Sequence, residues 1–418
     1  MARLDLVIFG ATGFTGKHAA EEMVRIGKQR GLSWGVAGRS RDKLQDILKE
    51  ISKKTGEDLS AIKTIVADVQ NEQSLKSMCE QARVLASCCG PYSLHGEAVV
   101  RAAIQSKTHY VDCSGEPNFI ELMQLKYDQE AREAGVYIVS ACAFESIPAD
   151  LGVLFLQQNF DGVLNSVECY MTADLQDGSI NSGTWQSLIH SFPHFLAMHR
   201  LRKKIYPTPL PKFAPQLKHR FPLHKRLGGW CLPLPSYDSA AVYRTQRYFY
   251  EKDHIRPAQT KTYIKFQSFI SALTIALCIV FLFIMSQFKL TRNLVLNYSN
   301  IFSFGVIKNK PSKDVIENAR YEFTLCGVGW DKNDQAHIDS LPPRKTKIAK
   351  VSGKNPGYGM TVMGVLYSAI AILEEKDKMP TEGGVITPGI AFNKTSLLKN
   401  LQENGVAFEI VHDKEKIH

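Results

Sequence analysis

Residues 4–10 form a short apolar run that closes on glycine, and residues 15–27 then carry apolar positions at helical spacing through Ala19, Ala20, Met23 and Ile26. This predicts strand, turn, helix. The alternation continues with a strand at 33–37 and a helix at 41–55, then a strand at 63–67 and a helix at 72–81. Residues 84–87, 109–112 and 136–140 supply three more strands, with helices near 95–106 and 117–134 between them. Strands alternating with helices predict a parallel sheet, and six strands are the usual count of a doubly wound dinucleotide-binding domain. That domain is expected to occupy residues 1–148.

Beyond Pro148 the alternation fades. Residues 167–188 read as a strand pair followed by a helix, residues 312–335 and 344–352 show strand-like alternation, and 361–375 predict an apolar helix preceded by Gly357 and Gly359. Pro207, Pro209, Pro211 and Pro215 force extended or irregular backbone through a stretch running from 199 to 236, which is expected to be a loop and not a helix. Between 266 and 288 there is no charged residue, and the core 269–285 is polar only at Ser271 and Thr274. No internal repeat is evident.

A chain of 418 residues implies two or three domains, and 44% hydrophobic with 22% charged residues fits an ordinary globular protein. The net charge of +10 is informative because of where it sits. No Asp or Glu occurs from 178 to 237, whereas Arg200, Arg202, Lys203, Lys204, Lys212, Lys218, Arg220, Lys225 and Arg226 fall inside that stretch. Charge this local points to phosphate groups or acidic lipid headgroups more readily than to nucleic acid, against the plainer reading of a solvated basic loop. The nine cysteines include no CxxC pair, so no metal site is expected and the thiols read as reduced and mostly buried. The short apolar run of the N-terminus leads straight into a glycine turn, unlike a signal peptide, so the enzyme-like part is expected to face the cytosol.

The turn between the first strand and helix reads Gly10-Ala11-Thr12-Gly13-Phe14-Thr15-Gly16. In that position the first glycine permits a tight turn, the second admits a pyrophosphate to the backbone and the third lets helix and strand pack closely, the design of a Rossmann domain. The second strand ends in Arg39-Ser40, where an NAD-specific site offers an acidic residue; a guanidinium and a hydroxyl there favour the 2′-phosphate of NADP(H) over NAD(H). Asp68, closing the third strand, is expected near the adenine or as a plain cap. Gly90 and Pro91 follow the fourth strand and can bring backbone to the nicotinamide half, with Tyr92 and His95 as the nearest candidate proton donors. Asp112, Ser114 and Glu116 close the fifth strand, with Glu116 a third candidate acid, and Glu145 and Ser146 close the sixth. Each of these is also a credible packing or capping residue. A YxxxK motif of the short-chain dehydrogenase type is not evident.

Taken together, GATGFTG, AGRS, CCGPYSLHGEAVVRAA, THYVDCSGE, CAFESIPADLG, SGKNPGYGMT and GGVITPGIAF resemble, in order and over nearly the whole chain, the saccharopine dehydrogenase-like oxidoreductases. The resemblance extends to bacterial trans-acting enoyl reductases. It implies a Rossmann domain with a discontinuous second α/β domain and association with lipid droplets and other membranes. On that basis residues 149–260 and 311–385 are the two parts of the second domain, 261–310 a membrane-associating insertion, and 386–418 a segment packing back on the fold.

A single crossing by 269–285 would leave the late motifs GYGMT and GGVITPGIAF on the wrong side of the bilayer. A re-entrant or hairpin insertion, with 294–307 as a second amphipathic limb, avoids this, while a buried core helix is the alternative. The expectation is therefore an NADP(H)-dependent oxidoreductase on a lipid droplet or the cytosolic face of a membrane, endoplasmic reticulum or mitochondrion, with an apolar small-molecule substrate, a lipid or glycolipid intermediate. A homodimer is compatible with this reading. The rivals are a lipid-droplet scaffold that keeps the fold without catalysis, and a soluble saccharopine dehydrogenase of lysine metabolism.

Overall fold

The computed structural model describes residues 2–144, 146–174, 180–234, 237–308, 318–338 and 340–411. Glu145 lies outside them. In the N-terminal half the strands are β1 (Leu4–Phe9), β2 (Trp34–Gly38), β3 (Lys63–Val66), β4 (Ala82–Ser87), β5 (His109–Asp112) and β6 (Tyr137–Val139). The helices are α1 (Phe14–Arg30), α2 (Arg41–Thr55), α3 (Glu72–Cys79), α4 (Tyr92–Gln105), α5 (Pro117–Glu133) and α6 (Ile147–Gln158). Strand order β6-β5-β4-β1-β2-β3, parallel throughout, reverses direction at β1 and opens a crevice at the carboxyl ends of β1 and β4.

The sheet has a seventh strand, Gly384–Ile386, which pairs in parallel with β6. The expected boundary at 148 therefore does not contain the whole first sheet. The strand is three residues long and enters through Gly383 and Gly384 at φ +67° and +109°, so it carries too little periodicity to be read along the chain. Asp128 of α5 accepts the N–H of Val385 at 2.8 Å and holds it at the edge. The apolar helix Thr361–Glu374 likewise covers the first sheet, packing on α1, β4 and β5.

The second sheet runs in the order Val406–Val411, Lys345–Lys354, Arg320–Asp331, Gly162–Asp174, Gln259–Phe266, Gly229–Pro233, His224–Arg226. Residues 167–188 were expected to hold a strand pair, yet Gly162–Asp174 has both edges taken by Arg320–Asp331 and Gln259–Phe266. The next strand, Ile180–Asn181, pairs instead with Ile307–Lys308. The helix expected after it is Ser182–Ser191. The edge strand Val406–Val411 gives the C-terminal segment its place against Lys345–Lys354.

The basic stretch is not a loop throughout. Its start folds as the helix Met198–Ile205, which contains no proline or glycine and is clamped to α5 where Arg202 Nη2 donates to Glu121 Oε1 at 2.9 Å. Residues 206–223 are irregular, and the stretch ends in the hairpin His224–Arg226/Gly229–Pro233, turned at Leu227 and Gly228 with φ +50° and +72°.

The uncharged segment forms the helix Phe269–Gln287, capped by the Ser268 hydroxyl, with most of its apolar side chains exposed. The helix therefore lies outside the core of the described residues, unlike the buried core helix that was the alternative. The second limb begins at Lys289, earlier than expected, and breaks at Tyr298 into Lys289–Asn297 and Ser299–Phe302. Trp185 and Ile189 of Ser182–Ser191 pack against Leu282 and Val295 of this insertion, with Trp185 Nε1 donating to the Val295 carbonyl at 3.2 Å. The strands on either side of the insertion, Gln259–Phe266 and Arg320–Asp331, both bond to Gly162–Asp174, so the chain leaves and re-enters the same sheet.

Candidate functional site

At the carboxyl ends of β1 and β4 lies a cleft of about 260 Å³, lined among others by Gly10, Thr12, Gly13, Arg39, Asp68, Gly90 and His95. The turn that makes it depends on absent side chains. Gly10 sits at φ +82°, and a Cβ there would meet the Cys88 carbonyl oxygen at 2.9 Å. On Gly16 a Cβ would lie 2.3 Å from the Gly10 oxygen, so only glycine lets α1 start this close to β1. Phe14, Thr15 and Gly16 form the first turn of α1, whose N-cap Gly13 offers no side-chain cap and which has no acidic residue there. Its N-terminal N–H groups and the positive end of its dipole are thus open to an anion at the cleft.

Arg39 is exposed beside this turn and has no side-chain ion pair or hydrogen bond among the described residues. Burial pushes the neighbouring Cys89 thiol up, Arg39 pulls it down and Asp68 raises it, which puts both charges within electrostatic reach of the same wall. Ser40 takes up the N-cap of α2, accepting the Lys43 N–H at 3.4 Å, so its hydroxyl is partly committed. Asp68 accepts the Gln70 N–H at 3.0 Å in the turn after β3, and Val69 and Gln70 join it in the lining. Those two had no signal beyond following a strand end.

The nicotinamide end differs from expectation. Pro91 is the N-cap of α4 and Gly90 lines the cleft. The Tyr92 hydroxyl turns inward, donating to the Ser87 carbonyl at 2.8 Å with Cys113 Sγ at 3.2 Å, and burial pushes its pKa well up. Glu116, 1% exposed, caps α4 by accepting the N–H groups of Tyr92 and Ser93 at 2.8 and 2.9 Å, and accepts the Ser187 hydroxyl at 2.8 Å. Neither lines the cleft, and both are engaged in hydrogen bonds that the strand-end pattern could not reveal. Asp112 is also structural, accepting from Ser114 N, Ala141 N and the Ser140 hydroxyl, with burial raising its pKa to about 6. Ser114 and Ser146 are buried. Of the three candidate acids, His95 alone reaches the cleft.

A glycine cradle that a Cβ would fill, an uncapped helix start and an unpaired guanidinium at the end of β2 fit a dinucleotide with a 2′-phosphate: α1 would hold the pyrophosphate and Arg39 the 2′-phosphate. Fold and site together define an α/β protein with a Rossmann-type NADP(H)-binding sheet and a second sheet beside it. Residues 6–139 match the saccharopine dehydrogenase NADP binding domain. The chain is 36% identical over 421 residues to a human saccharopine dehydrogenase-like oxidoreductase, covering 98% of each. It belongs to the saccharopine dehydrogenase-like oxidoreductase family. A Caenorhabditis elegans lipid droplet localized protein is 38% identical over 424 residues, with 98% of this chain and 99% of that one covered. The fold is shared with saccharopine dehydrogenase (L-Glu forming) from Saccharomyces cerevisiae at a TM-score of 0.50 and 15% identity, over 98% of this chain and 100% of that one.

Proposed function

We propose that this oxidoreductase works on the surface of a lipid droplet or a cytosolic membrane leaflet, drawing an apolar carbonyl, imine or enoyl substrate from the lipid. The observation that carries the reading is the helix Phe269–Gln287, whose Ile270, Leu277, Val280 and Ile284 are each more than half exposed. An apolar face of this size in water would be an aggregation site; in a monolayer or leaflet it is an anchor. Nineteen residues reach about 28 Å, but the chain returns to the sheet it left, so the insertion enters and leaves on one side. The lipid-droplet name of the nematode relative supports the same location.

The helix Ser182–Ser191 joins the two halves of this proposal. Its Trp185 and Ile189 face the apolar insertion, while Ser187 bonds Glu116 at the start of α4, the helix that carries His95. NADPH, when bound, supplies hydride to an electron-poor carbon. His95 holds the proton that balances it, and Glu116 fixes the first turn of α4 on which His95 rides. The commitment of Tyr92 and Glu116 to structure favours the rival reading, a droplet scaffold that binds nucleotide without turnover.

Flotation on phosphatidylcholine-coated droplets tests the location: the native chain is expected to float, and Leu277→Ser/Val280→Ser/Ile284→Ser to stay in solution with its NADPH binding intact. Equal flotation of the two would overturn the anchor. Consumption of NADPH with apolar carbonyl or enoyl compounds dispersed in the same droplets supports catalysis, and binding without consumption supports the scaffold.

A further inference from the structure

Away from the cofactor cleft, the irregular part of the basic stretch runs along the second sheet and forms an open groove of about 350 Å³ against the hairpin His224–Arg226/Gly229–Pro233. Its charges are arranged unequally. Glu168, the only acid in the lining, is neutralised by Arg220, whose Nη2 donates to Glu168 Oε2 at 2.6 Å while Nε donates to Oε1. Lys218 and Lys225 remain without an acidic partner among the described residues. The sequence supplies no further Asp or Glu from 178 to 237. Beside them, Lys261 donates to the Lys218 carbonyl at 3.0 Å, and burial together with Arg220 lowers its pKa.

One polar atom in the lining is orphaned. His224 engages the Phe221 carbonyl through Nδ1 at 3.0 Å and packs edge-on to Tyr263, which leaves its Nε2 buried with no hydrogen-bond partner. Lys218 and Lys225, by contrast, are exposed at the groove and carry no acidic partner among the described residues. The groove also has a defined depth relative to the apolar helix. Lys225 is the ladder partner of Trp230, and the Trp230 ring lies 4.8 Å from that of Phe269, the first residue of Phe269–Gln287. Phe221, 77% exposed, stands at its rim. Basic and aromatic residues at the foot of a lipid-inserting helix lie at headgroup depth.

We propose that this groove is a seat for the phosphate monoester headgroup of an anionic phospholipid, held by Lys218 and Lys225. A monoester carries −1.5 to −2 charges at neutral pH and presents three oxygens on one side, which matches two lysines in a concave site. A diester such as phosphatidylserine has substituents on both sides of phosphorus and meets the same residues only as general surface charge. The lipid source rests on the membrane-surface reading above, and the pocket adds a specificity that the helix alone does not have.

The test is vesicle co-sedimentation of the full chain with phosphatidylcholine alone, with added phosphatidic acid, and with phosphatidylserine at matched surface charge. The expected result is binding to phosphatidic acid about ten-fold tighter than to phosphatidylserine, with that preference lost in Lys218→Gln/Lys225→Gln. Both lysines are exposed, so the variant's retained binding to phosphatidylcholine reports that its fold and anchor are intact. Equal binding to the two anionic vesicles, or a preference unchanged in the variant, overturns the proposal and leaves the anchor standing. Loss of binding to phosphatidylcholine in the native chain overturns the anchor, while a lysine-dependent preference for phosphatidic acid still supports the pocket. Soluble glycerol 3-phosphate binding as tightly as the vesicles, with no vesicle preference, would identify a free phosphate as the ligand and overturn the lipid assignment.

Discussion

Replacing Arg39 by alanine isolates the group on which nucleotide selectivity rests. Its guanidinium lines the cleft at the end of β2, free of other side-chain partners among the described residues, and so has nothing to compensate in the variant. A charge-assisted hydrogen bond contributes about 1.5–3 kcal/mol, or roughly 10- to 150-fold in affinity. Because Arg39 is solvent-exposed and screened, the lower end applies, about ten-fold. Asp68 shares the cleft and, with the cation gone, adds its repulsion to a phosphate on that side. Intrinsic fluorescence titrated with NADPH and NADH should therefore show NADPH weakened about ten-fold in Arg39→Ala, NADH changed by less than about two-fold, and a shallower salt dependence for NADPH. Equal weakening of both nucleotides, or of neither, would refute the assignment of Arg39 to the 2′-phosphate.

Three further outcomes follow from the same geometry. Gly16→Ala places a methyl group 2.3 Å from the Gly10 oxygen, so α1 must move off the turn; the expected result is about 1–3 kcal/mol of lost stability in urea unfolding and loss of nucleotide binding, and unchanged affinity would contradict the close-packed turn. His95→Gln should cut turnover by about 10²–10⁴ with an unchanged melting temperature, whereas Tyr92→Phe should cost about 1 kcal/mol of stability and spare turnover; the reverse pattern would restore Tyr92 as the acid. Asp150 is buried with Oδ1 unpaired and Oδ2 accepting from Thr245 and Gly389 N, and burial raises its pKa to about 6. The folded state then holds the proton more tightly than the unfolded chain, so this group's contribution falls as pH rises from about 4 to about 6 and is level above. Urea titrations across that range should show a steeper pH slope in the native chain than in Asp150→Asn, and identical slopes would exclude Asp150 as the source.

Local pattern carried the cofactor site. The glycine turn, the β2 end at Arg39-Ser40 and the β4 end at Gly90 each lie within a few residues of a strand terminus, and a parallel sheet brings strand ends to one edge whatever else the chain does. His95 was legible for the same reason, one helical turn inside α4. Tyr92 and Glu116 sit at equally suggestive positions, but whether a side chain faces the cleft or caps a helix depends on partners far along the chain: Ser187 lies 71 residues from Glu116.

By itself the sequence determined that this protein has a Rossmann sheet with an NADP(H) turn, an uncharged helix too apolar for water and a concentrated block of positive charge, because each is written in contiguous residues. Only the tertiary structure decided that Gly384–Ile386 completes the first sheet, and that the apolar helix stays outside the core while its two ends return to one sheet. It also decided which basic residues are neutralised, Arg202 by Glu121 and Arg220 by Glu168, and which line the open groove beside them, Lys218 and Lys225. Pairings across tens to hundreds of residues are set by which edges, faces and charges remain unsatisfied once the local elements have formed, and that remainder is a property of the packed molecule.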